Sequence, residues 1–190
     1  MINSWQPIPL ESYFNTKGIS WVEKGIQGSI NHIGESIAGE LLPNNTTATY
    51  AGIPFLIPRT DTTHHDLVSC EGQSILIPEG RYTKVALLGL STWGDFFDYI
   101  QVIYRNGTIS ELPFGFNDWL CSLVSHESYE SNSNLFMEYI RYQDERINFR
   151  TKLEIQTIQL NPNLEVEELK LLDNTYSYIL AISLQGSDES

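Results

Sequence analysis

The apolar and polar positions along this chain follow the short, period-two pattern of strands. Ile53–Ile57 is an apolar run bounded by Gly52 and Pro58. Residues 74–77 form another, ended by Pro78-Glu79-Gly80, a combination suited to a type II turn. Residues 84–90 are almost wholly apolar, which predicts a central strand covered on both faces. Ile100, Val102 and Tyr104 alternate with Gln101, Ile103 and Arg105, and Asn106-Gly107 then predicts a hairpin returning through residues 108–112. Leu153 and Ile155 share one parity, Ile158 and Leu160 the other, so a bulge is expected near Thr157. Tyr178, Leu180, Ile182 and Leu184 share one parity and predict a half-buried closing strand.

Helical periodicity is weak, and the best candidate is a turn or two over residues 117–124. The expected architecture is a single all-β domain over residues 1–190. It consists of two packed antiparallel sheets in a sandwich or barrel, with less than about 10% helix. Residues 1–50 are read as an N-terminal extension packing on it and 186–190 as a frayed tail. Val85, Leu87, Ile100, Val102, Leu180 and Ile182 are the expected core. The stretch 113–134 lacks strand alternation, yet its Phe114, Phe116, Trp119 and Tyr129 argue against disorder.

Composition narrows the partners. The net charge is −13, and the 11 Lys and Arg residues form no cluster. Nucleic acid and anionic membranes are therefore not expected partners; a neutral ligand or a cation suits this field better. No apolar stretch approaches the roughly 20 residues of a membrane span, and the N-terminus has no basic region followed by an apolar run, so a cytoplasmic protein is expected. In that compartment Cys70 and Cys121 read as free, buried thiols, and the Asn-x-Thr sequons at Asn44, Asn45 and Asn106 carry no meaning.

In sequence order, Gly52-Ile53-Pro54-Phe55, Asp66-Leu67-Val68, residues 72–78, residues 84–89, residues 102–108 and Asp118-Trp119 resemble the galactose-binding-like β-sandwich modules that accompany bacterial glycoside hydrolases. The closing segment 178–184 is similar to the last strand of such modules. The resemblance covers about two thirds of the chain, from Gly52 onward. It implies a jelly roll, a bacterial source, sugar binding by loops at one end, and a structural calcium ion as the one cofactor.

Sugar rings present apolar C–H faces and a rim of hydroxyls, so a site for them needs an aromatic platform beside carboxylates and amides. Trp93 and Asp95 supply these types in one loop, and Asn117, Asp118 and Trp119 in another. The topology brings both loops to one end of the sandwich, where Trp93 and Trp119 form two walls of a pocket. With both rings buried, the same residues are a structural plug. Asp95 and Asp98 are the candidate calcium ligands, although the chain has no Asp-x-Asp-x-Asp-Gly loop.

His64-His65-Asp66, with Asp61 upstream, is more simply a solvated loop than a metal site, because adjacent residues of an extended chain point to opposite sides. Residues 165–173 read as a solvated strand face, and Asp144-Glu145-Arg146 as a charged turn. No Gly-x-Ser-x-Gly elbow is present, and with 24 acidic residues a facing carboxylate pair cannot be singled out by sequence. The expected function is non-catalytic binding of a neutral carbohydrate or glycoside. The alternatives are a self-associating scaffold, whose aromatic loops form a homodimer interface, and a sugar-processing enzyme.

Overall fold

The computed structural model describes residues 4–120, 133–143 and 145–187. Cys121, Tyr129, residues 121–124 of the expected helical turn and the end of the expected tail lie outside them. The strands, in chain order, are β1 (Trp5–Ile8), β2 (Ile19–Ser20), β3 (Glu35–Ala38), β4 (Thr46–Tyr50), β5 (Ile53–Ile57), β6 (Val68–Glu71), β7 (Ser74–Leu76) and β8 (Tyr82–Ser91). They continue as β9 (Phe96–Tyr104), β10 (Ile109–Phe116), β11 (Ser133–Met137), β12 (Ile140–Tyr142), β13 (Glu145–Ile147), β14 (Thr151–Gln159), β15 (Val166–Lys170) and β16 (Asp173–Gly186). Among the described residues the only helical elements are two single 3-10 turns, Val22–Lys24 and Gly39–Leu41.

A six-stranded antiparallel sheet, β1-β16-β8-β14-β11 with β6 also on β16, lies at the centre. Apolar side chains fill both of its faces. On one face Val85, Leu87, Ile182 and Leu184 meet Ile100, Val102, Phe116 and Leu169 of the sheet β10-β9-β15-β7. On the other, Leu88, Leu90, Leu153, Ile155 and Leu180 meet Ile19, Ile37 and Ile140 of the sheet β13-β12-β3-β2 and Phe55 and Ile57 of the β4–β5 hairpin. The expected pair of sheets thus carries a third layer. The β2–β3 pairing is parallel, an exception to the expected antiparallel sheets. Residues expected as an N-terminal extension supply β1 at the edge of the central sheet and β2 to β4 of the added layer.

The added layer explains two departures in strand phase. No bulge interrupts the pairing of β14 with β8, which runs in unbroken register from Glu154↔Gly89 to Gln159↔Lys84. Leu153 and Ile155 face one core while Ile158 and Leu160 face the other, so the apparent phase change is a change of covered face. The bulge lies instead in β16, where the register against β8 shifts between Ile179 and Ala181. Tyr178 and Leu180 therefore face one core, and Ile182 and Leu184 the opposite one. β16 is buried on both faces rather than half-buried.

The hairpin at Asn106-Gly107 forms as expected. Gly107 has φ +83°, the Tyr104 N–H donates to the Thr108 carbonyl at 2.9 Å, and the Thr108 N–H donates to Asn106 Oδ1 at 3.0 Å. β10 then runs farther than the sequence pattern suggested, to Phe116, with Phe114 and Phe116 in the core. The loop expected from Pro113 begins at Asn117. Residues 117–120 are extended rather than helical: Ser91 bridges Asp118 in parallel and Leu120 bridges Thr151.

Candidate functional site

The exit of β8 and the exit of β10 meet at one end of the central sheet. Strand β9 runs away from this end and β10 returns to it. The Trp119 N–H donates to the Ser91 carbonyl at 2.9 Å, and the Ser91 hydroxyl lies 2.7 and 3.0 Å from the carbonyls of Gly94 and Phe116, which share its one proton. The Asp118 N–H donates to Asp95 Oδ1 at 2.7 Å. Two loops distant in sequence are thereby tied into one rim.

The rim separates its two tryptophans. Trp119 is 1% exposed and belongs to the core, whereas Trp93 is 51% exposed. Trp93 stacks on His32 with ring centroids 5.0 Å apart and 14° between planes. Its φ is +67°, a left-handed conformation that a bulky residue adopts at a cost. Both indoles line one cavity of about 110 Å³, together with Asn31, Glu35, Thr92 and Asp118. Among the described residues no acceptor reaches the buried Trp119 Nε1. The burial of Asp118 pushes its carboxyl above the usual range, and the charge of Asp95 adds to this; the N–H groups of Leu120 and Gly94 and the ammonium of Lys152 oppose it.

Asn117 does not reach this cavity. It is buried, and its backbone N–H and side-chain amide donate to the Glu154 carboxylate at 2.9 Å, with a second amide contact at 3.1 Å. Lys152 Nζ donates to the same carboxylate at 2.5 Å. Glu154 is 1% exposed. Sequence reasoning missed Glu154 and Lys152, because polar residues alternating with Leu153 and Ile155 carry no local mark of burial. The only signal was the two-sided burial of β14, which is not visible locally.

Asp95 and Asp98 have separate surroundings. Asp95 accepts from Asp118, while Asp98 Oδ1 accepts from the Tyr99 N–H at 2.9 Å and lines a different groove with Phe97, Tyr99 and Phe114. Among the described residues no group of three or more His, Cys, Asp or Glu side chains could hold a metal ion.

The segment around His64-His65-Asp66 is only partly a solvated loop. His64 and His65 are exposed, but Asp66 is fully buried, ion-paired with Lys17 Nζ and accepting from the Gly18 N–H at 2.8 Å. Burial pushes the Asp66 carboxyl up to about 6, against the lowering effect of Lys17 and the N–H groups of Gly18 and Ile19. Cys70 is a free, buried thiol, pushed up to about 12 by burial, and so is not a nucleophile at neutral pH.

No helix among the described residues is long and apolar enough to cross a membrane. No curated protein matches the chain. The model of the AziU2-like beta-sandwich domain family does match, over residues 4–188, in agreement with the sheets packed about the central strands. This chain belongs to the AziU2-like beta-sandwich domain family.

Proposed function

We propose that the rim cavity binds a single neutral sugar residue or glycoside without transforming it. The observation that supports this most is the division of labour between the tryptophans. Trp93 offers an open aromatic face, and the buried Trp119 helps to wall the same cavity. The C–H face of a sugar ring stacks on the Trp93 indole. Asp118, Glu35 and Asn31 line the same cavity and accept from its hydroxyls. A cavity of about 110 Å³ takes one ring edge, not a chain of sugars. The strained backbone of Trp93 is consistent with a side chain held ready for a ligand. Loops at one end of a sandwich serving as the site is also the arrangement of galactose-binding-like jelly rolls, and that finer fold belongs to the same proposal.

A titration of the protein with a panel of monosaccharides and methyl glycosides, followed by indole N–H resonances, tests this reading. At least one sugar should shift the Trp119 indole resonance saturably. Trp93→Ala should weaken that binding at least tenfold while leaving the melting temperature nearly unchanged, because the ring is half exposed. If no sugar in the panel moves the Trp119 signal, the proposal fails.

The second reading, a homodimer formed through aromatic surface, is favoured by the exposure of Tyr99 (58%), Tyr176 (46%) and Phe97 (39%) beside this rim. The Thr92 N–H donates to the Tyr176 carbonyl at 2.9 Å, and Tyr176 stacks on Phe96 at 5.5 Å. Sedimentation of wild type and Tyr99→Ser decides it: a dimer lost in the variant supports the interface, and a wild-type monomer at all concentrations removes it.

A further inference from the structure

A second cleft, larger than the rim cavity, lies away from the rim. It has a volume of about 540 Å³, within the range of roughly 300 to 1,000 Å³ common for small-molecule sites. Arg59, His64 and His65 line it from the loop after β5, Asn45 from the start of the β4–β5 hairpin, and Glu11 and Phe14 from the segment after β1. In a chain of net charge −13, three of its few basic side chains converge here.

The same loop sorts its acids away from the cleft. Asp66 is turned inward onto Lys17. Asp61 is held by Lys24 Nζ at 2.8 Å and by Arg59 Nε at 3.1 Å, and neither carboxylate lines the cleft. Arg59 commits Nε to Asp61, and the guanidinium has four further donors in its planar fork. The loop is also braced before any ligand arrives. The Thr60 N–H donates to Asn44 Oδ1 at 2.8 Å, the Thr60 hydroxyl accepts from Trp21 Nε1 at 3.0 Å, and the Thr60 carbonyl accepts from Lys17 Nζ at 2.8 Å. A polar loop pinned this way presents its side chains at little ordering cost.

We propose that this cleft is a second binding site, for a small molecule carrying one oxyanion head on a partly apolar body. Arg59, His64 and His65 take the oxyanion by charge-assisted hydrogen bonds, and the Phe14 ring packs on the body. Glu11, the one acidic group in the lining, faces a donor on the ligand. The strongly negative field of the whole chain disfavours polyanions, so the ligand is a metabolite-sized acid and not a nucleic acid.

The test uses the whole protein and inorganic phosphate, with succinate as a carboxylate in a parallel titration. Imidazole resonances of His64 and His65 are followed, with the Trp93 indole as a remote reference. Saturable shifts of both imidazoles with either anion, Trp93 unmoved, and at least tenfold weaker binding in Arg59→Gln are the expected results. Saturation by phosphate alone identifies a phosphoryl head, and by succinate alone a carboxylate head. The inference is overturned if the shifts match those produced by sodium chloride at equal ionic strength, or if Arg59→Gln and the His64→Gln/His65→Gln double variant bind as wild type. Arg59 is 65% exposed at its side chain, so Arg59→Gln should keep the fold, which a thermal melt verifies.

Discussion

Replacing Glu154 by glutamine probes how the rim is held to the sheet. The carboxylate is buried and accepts from Asn117 N–H, from the Asn117 amide and from Lys152 Nζ. Glutamine has the same shape, but one oxygen becomes an NH₂ that meets only donors. Hydrogen bonds to a charged group contribute about 1.5–3 kcal/mol each, and breaking one partner of a buried ion pair costs about 3–5 kcal/mol. Lys152 keeps 16% side-chain exposure and so some access to water, which places the expected loss near the lower end, about 3 kcal/mol. That is a large fraction of the roughly 5–15 kcal/mol that stabilises a domain. Asn117→Ala leaves the ion pair intact and should cost less, about 1–2 kcal/mol. Because both variants disrupt one network, their effects should not add. Urea denaturation followed by tryptophan fluorescence measures all three chains. A loss under about 1 kcal/mol for Glu154→Gln, with additivity in the double variant, would refute the view that this buried carboxylate anchors the rim.

Other consequences can be measured with the same material. Leu87→Ala, at a fully buried position of β8, should cost about 2–5 kcal/mol in chemical denaturation. Gly89→Ala should cost about 1–3 kcal/mol, since a Cβ there would stand 2.2 Å from the Tyr178 carbonyl oxygen and 2.6 Å from the Phe116 ring. The Asp66 carboxyl should titrate near pH 6 by carbon NMR. Between the ordinary value of 3.8 and about 6 the folded chain keeps a proton there that the unfolded chain releases. The stability arising at this group is therefore complete below about pH 4 and is lost as pH rises through about 6. The difference in stability between wild type and Asp66→Asn should change in that window, and a flat difference would remove the assignment.

Strand pattern was legible wherever a segment's own environment was simple. The 84–90 run announced a strand covered on both sides, and Val85, Leu87, Ile100, Val102, Leu180 and Ile182 are all buried. The Asn106-Gly107 hairpin was legible because its turn chemistry is local. The phase of β14 and β16 was not. A sequence shows which positions are apolar but not which of two cores each one faces, so a change of covered face and a bulge look alike. Glu154 and Asp66 escaped for a related reason, since acids are buried only when partners arrive from elsewhere in the chain.

By itself the sequence determined the all-β class, the central strand and the residue types gathered in two aromatic loops. Side-chain periodicity and turn propensity are properties of neighbours along the chain. Only the tertiary structure decided that Trp119 is sunk in the core while Trp93 stays open, and that Asn117 serves the sheet rather than the cavity. It alone set Arg59, His64 and His65 around one cleft with their neighbouring acids turned away. Exposure, pairing and charge sorting depend on which distant strands cover a residue, and that is settled only when the layers pack.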